Sequence, residues 1–205
     1  NTKKFNKIVN GDKNNILSIQ SLVEGKKNII FSYDQYNSKG TMLEEKIGSL
    51  KGTEVNEIYS KGSMGNLFYY KNELHAVGMK KRFDWPTNTT ILKVSDAGKI
   101  SYKYPSFDRN IVKAAVNNNT LYFMYEDSGK TLLRDGTNNV DLVEADVTIK
   151  DFAFNGDKTY VISNSFSSPD EIYEIDDGQL LKVSKANESF NKKVKTWKCQ
   201  YKRID

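Results

Sequence analysis

The sequence predicts an all-β protein: a β-propeller, as a partial or small ring, of four to five four-stranded antiparallel blades. Three observations predict it. The first is the stretch Val147 to Lys185, which holds four short apolar runs separated by turn residues. VTIKDFAF ends in Asn155-Gly156-Asp157, KTYVISNS in Phe166-Ser167-Ser168-Pro169, EIYEI in Asp176-Asp177-Gly178, and QLLKVS completes the set. β-Branched and aromatic side chains fit a pleated surface, whereas Gly and Asn accept the positive φ of tight turns. Four strands in about 38 residues have the size and punctuation of one blade. The second observation is recurrence. Second strands aligned at Ile29, Leu74, Leu121 and Tyr160 lie 45, 47 and 39 residues apart. The third is a glycine turn after each third strand: SDAG after ILKV, RDGTN after TLL and IDDG after EIYE.

Taken in order, the elements form one propeller domain over residues 1–205, with blades at about 13–60, 64–105, 109–146 and 147–185. Blade 1 is ILSIQSLV, NIIFSYD, TMLEEKIG and TEVNEIY, and blade 2 is GNLFYYK, ELHAVGM, TILKVS and KISYKYP. Blade 3 is NIVKAAV, TLYFMYE, KTLLRD and NVDLVEA, and blade 4 is the stretch just described. The blade-inner strands are expected to include ILSIQSL, GNLFYYK, NIVKAAV and TIKDFAF. Residues 186–205 read as a closing or linker strand, which with the early run FNKIV completes neighbouring blades and removes exposed edges. No segment has helical periodicity. Ser184 to Asn191 is the least strand-like and reads as a turn or a single helical turn.

Composition narrows the function classes. The chain has 205 residues, 38% of them hydrophobic and 12% aromatic, enough for one all-β domain with its own core. No apolar stretch approaches the roughly 20 residues of a membrane span. The net charge of +5 owes much to Lys192, Lys193, Lys195, Lys198, Lys202 and Arg203. These alternate with Val194, Trp197, Cys199 and Tyr201, the pattern of a strand with one solvated face rather than a nucleic-acid footprint. The single cysteine, Cys199, rules out an internal disulfide and a CxxC metal site. The chain does not begin with Met and carries no signal-peptide pattern, so it reads as an excised or processed piece whose location its beginning does not give.

The chemical inventory is sparse. His75 is the sole histidine and sits in a strand-like run, where it reads as a partly buried strand residue. A Ser-His-Asp triad needs a histidine base and a nucleophile elbow needs GxSxG spacing, which Gly62-Ser63-Met64-Gly65 lacks. No catalytic residue is assigned. Asp170, Glu171, Glu174, Asp176 and Asp177 are acidic, but Asp176-Asp177-Gly178 reads as a hairpin turn rather than a calcium loop. No metal and no cofactor are expected. The richest loop in charge and aromatic rings is Lys80 to Asn88, between the second and third strands of blade 2. Loops on a rigid scaffold carry function more often than strands do. Lys81, Arg82 and Trp85 are therefore the candidate substrate-binding residues: cations to meet a peptide carboxylate and a ring to stack on side chains. The simpler reading is a solvated loop whose Phe83 and Trp85 fold back onto the blade.

NGDKTYVISNSFSSPDEIYEIDDGQLLKVSKANESF resembles the last propeller blade of prolyl oligopeptidase-family serine peptidases of the acylaminoacyl peptidase type. The family's Ser-Ser-Pro-x-Glu-Ile-Tyr run is matched by Ser167 to Tyr173, and its Leu-Thr-x-x-Asn segment by Val183-Ser184-Lys185-Ala186-Asn187. VKTWKCQYKRID is similar to the strand that leads into the α/β-hydrolase domain. The likeness covers about Val147 to Asp205, and Val183-Ser184 departs from Leu-Thr. The family's propeller typically has seven blades against four clear ones here, and no catalytic position of the family falls within this chain. The resemblance implies a non-catalytic propeller domain of an oligopeptidase-type serine hydrolase that gates or binds short peptides. It further implies an α/β-hydrolase domain following in the parent chain, a cytoplasmic location, and neither nucleic acid nor membrane as partner. The alternative is a stand-alone propeller binding a protein, peptide or glycan at the cell surface. A propeller glycosidase or lyase is disfavoured, because no convergent set of carboxylates or histidines stands out.

Overall fold

The computed structural model describes residues 16–25, 28–36, 39–40, 43–80, 88–104, 107–143 and 145–194. The early run FNKIV and the segment after Val194, with Trp197 and Cys199, lie outside the described residues, and so does any fifth blade built from them.

Among the described residues sixteen strands form four four-stranded antiparallel sheets, each in strict sequence order. Sheet 1 comprises β1 (Ile16–Glu24), β2 (Ile29–Tyr36), β3 (Leu43–Lys51) and β4 (Glu54–Tyr59). Sheet 2 comprises β5 (Ser63–Tyr70), β6 (Glu73–Met79), β7 (Thr90–Val94) and β8 (Ile100–Tyr102). Sheet 3 comprises β9 (Ile111–Asn117), β10 (Thr120–Asp127), β11 (Lys130–Asp135) and β12 (Val140–Asp141). Sheet 4 comprises β13 (Thr148–Asn155), β14 (Lys158–Ser165), β15 (Ser168–Asp176) and β16 (Gln179–Lys182), and α1 (Glu188–Lys193) follows it. These are propeller blades, the fold class the sequence predicts. Among the described residues no helix is long and apolar enough to cross a membrane.

Turn chemistry explains the punctuation. Two-residue hairpin loops favour types I′ and II′, whose backbone twist matches that of the strands they join. Lys71-Asn72, Asn118-Asn119, Ser128-Gly129 and Asp177-Gly178 have positive φ at both central positions, as type I′ requires. Gly156-Asp157 has positive φ at the glycine alone, as type II′ requires. The turn after β11 is held differently: the Asp135 carboxylate accepts the N–H groups of Thr137 at 2.8 Å and Asn138 at 2.9 Å.

The chain divides into two compact units, residues 1–114 and 115–205, with the boundary inside β9. In the first unit, Ile30 and Ile47 of sheet 1 pack with Met64, Leu67, Leu74, Ala76, Leu92 and Val94 of sheet 2 in one buried cluster. Polar bonds lock the two sheets: Leu67 donates its N–H to Ser21 Oγ at 2.9 Å, and Ser32 Oγ donates to the Gly65 carbonyl at 2.8 Å. At Gly78 in β6 a Cβ would come within 1.9 Å of the Ser63 carbonyl oxygen, so no other residue fits this strand approach. In the second unit, Met124 and Leu133 of sheet 3 pack with Ile149, Phe152 and Val161 of sheet 4. Asn117 Nδ2 donates to the Gly156 carbonyl at 2.8 Å and Asn118 Nδ2 to Asp157 at 2.7 Å, tying the two first hairpins together.

Candidate functional site

Lys81, Arg82 and Trp85 lie outside the described residues. The two ends of their loop are described. Tyr59 donates its hydroxyl to the Lys80 carbonyl, and the Lys80 ammonium stands 5.8 Å from the Tyr102 ring centre. At the other end Asn88 Nδ2 donates to Asp108 at 3.1 Å, and Thr89 Oγ1 donates to the Ile111 carbonyl at 2.9 Å. The positions at which the loop leaves β6 and rejoins β7 are therefore fixed by side chains of the first unit.

The corresponding connection of sheet 4 forms a small cavity. Thr148, the first residue of β13, stands opposite Asn164 near the end of β14, so the β14–β15 turn lies beside the chain arriving from sheet 3. Lys130, Asp146, Val147, Thr148, Asn164, Ser165 and Phe166 line a cavity of about 210 Å³. Phe166, at the turn, is 77% exposed, and Lys130 is ion-paired with Asp146. Asn164 Nδ2 donates to Asp170 at 2.7 Å, and Lys150 binds the same carboxylate at 2.9 Å. An open ring, an ion pair and a cluster of hydroxyl and amide groups suit an extended polar ligand with one apolar side chain. The volume admits one or two side chains, not a whole peptide. From its sequence neighbours Phe166 is expected only as a turn residue. The signal the sequence offers is a bulky ring between Ser165 and Ser167, where turn chemistry has no use for it.

The two segments that carry the family resemblance meet at Glu171. Its carboxylate accepts the Ser184 hydroxyl, the Ala186 N–H at 3.1 Å and the Asn187 N–H at 2.9 Å, and pairs with Lys182 at 3.0 Å. Asn187 Nδ2 donates in turn to the Asp170 carbonyl. The Ser184 hydrogen bond does most to hold the Glu171 carboxyl down at about 2, with the Asn187 N–H and Lys182 adding to it against the opposing effect of burial. Glu171 thus fastens the segment that enters α1 onto β15. Asp170 and Glu171 are used as structural acceptors. Among the described residues no group of three or more His, Cys, Asp or Glu side chains is arranged to hold a metal.

His75 is fully buried, deeper than the partly buried strand position expected of it. Every residue from Leu74 to Gly78 is buried, because both faces of β6 are covered. The His75 ring stacks on Phe68 at 5.5 Å, and its Nδ1 bonds the Glu73 carbonyl at 2.9 Å, which requires the proton on Nδ1. Burial pushes its pKa down, so the ring is neutral. A second network joins β10, β11 and β12: Arg134 Nε and Nη2 donate to the Asp141 carboxylate at 2.8 and 3.1 Å, and the Tyr125 hydroxyl donates to it at 3.0 Å. Burial and the Asp141 carboxylate push the Tyr125 hydroxyl up to about 12.

No family model and no curated protein sequence matches the chain. Solved structures do match in fold. Pyrococcus horikoshii acylaminoacyl peptidase, uncomplexed, superposes with a TM-score of 0.67 at 18% identity, over 90% of this chain and 30% of that one. Its orthorhombic crystal form gives the same TM-score at 16% identity, over 86% of this chain and 29% of that one. The β-propeller domain of the Trilobed protease from Pyrococcus furiosus matches with a TM-score of 0.62 at 11% identity, over 81% of this chain and 54% of that one. The chain spans about 30% of the length of the acylaminoacyl peptidases it matches. It has the β-propeller fold that is found in these peptidases.

Proposed function

We propose that the chain is a non-catalytic propeller portion of an oligopeptidase-type serine hydrolase, and that it binds or gates short peptides for an α/β-hydrolase domain. The observation that carries this reading is the fold likeness: nine-tenths of the chain superposes on less than a third of acylaminoacyl peptidase. Site chemistry supports it. The Phe166 cavity and the Lys80–Asn88 loop both belong to connections between second and third strands, and both combine an aromatic ring with cations. His75 does not serve as a general base because its basic nitrogen, Nε2, is buried away from any substrate.

The test is a calorimetric titration of the purified chain with short N-acetylated peptides carrying an aromatic side chain. The reading expects saturable binding that Trp85→Ala and Phe166→Ala each weaken about tenfold, or ~1.4 kcal/mol, with the melting temperature unchanged. It also expects no turnover of acyl-peptide or nitrophenyl ester substrates by the chain alone. Absence of binding, or binding that ignores both rings, overturns the site. Hydrolysis abolished by His75→Ala overturns the non-catalytic role.

A further inference from the structure

The walls of the Phe166 cavity come from two neighbouring sheets and the chain that joins them. Lys130 opens β11 of sheet 3, Asp146 belongs to the connection, and Asn164 and Phe166 stand at the end of β14 and in the turn after it. Which side chain of a ligand the cavity takes depends on the polar atoms in its wall that still lack partners. Lys130 pairs its ammonium with one carboxylate oxygen of Asp146, and the Lys130 side chain is 22% exposed against 53% for Asp146. The acid is therefore the accessible member of the pair, and its second oxygen has no partner among the described residues. Asn164 donates its amide N–H to Asp170 and keeps its carbonyl oxygen as an acceptor. Beside these acceptors stands the Phe166 ring, 77% exposed.

Each class of ligand side chain meets this wall differently. An anion faces the bare oxygen of Asp146 and must break the ion pair to reach Lys130. An apolar side chain covers that oxygen without giving it a hydrogen, which leaves a desolvated acceptor unsatisfied. A neutral amide satisfies it, but with a hydrogen bond about half as strong as a charged donor makes. A guanidinium donates to the carboxylate, lays its plane on the aromatic ring and packs its methylene stem on the apolar wall. Resting on the reading that the chain binds short peptides, we propose that this cavity selects an arginine side chain. Its guanidinium lies on the Phe166 ring and donates to Asp146, with the Asn164 carbonyl as the second acceptor. Lys130 opposes binding, because it shares the carboxylate and sets a like charge beside the ligand.

The experiment titrates the purified chain with N-acetylargininamide and with its neutral isostere N-acetylcitrullinamide. Binding is read from the backbone-amide NMR shifts of residues 146–148 and 164–166. The arginine compound is expected to bind in the millimolar range, about fivefold tighter than the citrulline one. Phe166→Leu keeps an apolar side chain but loses the ring face, and is expected to weaken arginine about fivefold. Asp146→Asn is expected to erase the difference between the two compounds. Lys130→Met acts in the opposite direction and should tighten arginine about threefold, since Asp146 then serves the ligand alone. Circular dichroism checks that each variant is folded. Equal affinities for the two compounds, or no shift at these amides, overturn the inference. A Lys130→Met chain that loses arginine binding overturns it too, because the cavity is then built for an anion. The peptide reading stands or falls separately. Aromatic peptides that bind with no preference for arginine keep that reading and remove this one, whereas argininamide binding with no peptide binding does the reverse.

Discussion

His75 in the first unit and Glu171 in the second are both ionisable, both on strands and both almost fully buried. They solve burial in opposite ways. Glu171 stays charged because a hydroxyl, two backbone N–H groups and an ammonium converge on it. His75 has one hydrogen bond, through Nδ1, while its Nε2 has no partner among the described residues, and it stays neutral between aromatic rings. Burial alone does not decide the state of a group; the donors brought to it by the surrounding chain do. Glu171 joins segments of chain, whereas His75 fills space.

Removing each group sharpens the contrast. Glu171→Ala is expected to have the largest effect, because it strands several donors at once and frees the connection to α1. Hydrogen exchange at Ala186 and Asn187 should become fast while β13 and β14 remain protected; unchanged exchange there would falsify the clasp. The pH dependence has a definite sign. A carboxyl held at about 2 instead of its ordinary 4.5 contributes stability that is full above 4.5 and lost as pH falls towards 2. The stability difference between wild type and Glu171→Ala should therefore be constant above 4.5 and shrink through that window, where alone the slopes of the two acid titrations differ.

Asp141→Asn comes next. It weakens a bidentate pair with Arg134 and a bond from Tyr125, and should cost about 1–2 kcal/mol in urea unfolding. A loss indistinguishable from zero would show that the network is screened by solvent. His75→Leu should be the mildest, within ~1 kcal/mol of wild type at neutral pH, since it replaces a weakly bonded ring with an apolar side chain. Its signature is again in pH. A folded histidine with a depressed pKa takes up its proton later than the unfolded chain does, near 6.5 in the latter, so wild-type stability declines as pH falls below about 6.5. His75→Leu should flatten that decline, and an unaltered slope would contradict burial as its cause.

The sheets were legible because their information is local. Asn118-Asn119, Asp177-Gly178 and Gly156-Asp157 announce hairpins by residue type, and runs such as TLYFMYE between them have no other use. Glu171 was legible only as a member of a motif. Its partners arrive 11 to 16 residues later in the chain, and no residue type announces that a backbone N–H will point at a carboxylate. The burial of His75 escaped because alternation assumes one wet face, and β6 has none. Phe166 escaped for the converse reason: a ring in a turn looks the same in sequence whether it folds back or stays open. Arg134 and Asp141 pair across strands through a register that spacing alone does not fix.

Every described strand pairs only with the strands adjacent to it in sequence within its sheet. Few residues must be reeled in to close any pairing, so the entropy of loop closure stays low and the contact order of each sheet is small for an all-β fold. A sheet of this kind can assemble as soon as its own stretch of about 40 residues has left the ribosome, without waiting for distant chain. The same locality means that a whole blade could be gained or lost in evolution as a single insertion or deletion, leaving every hydrogen bond inside the remaining sheets as it was.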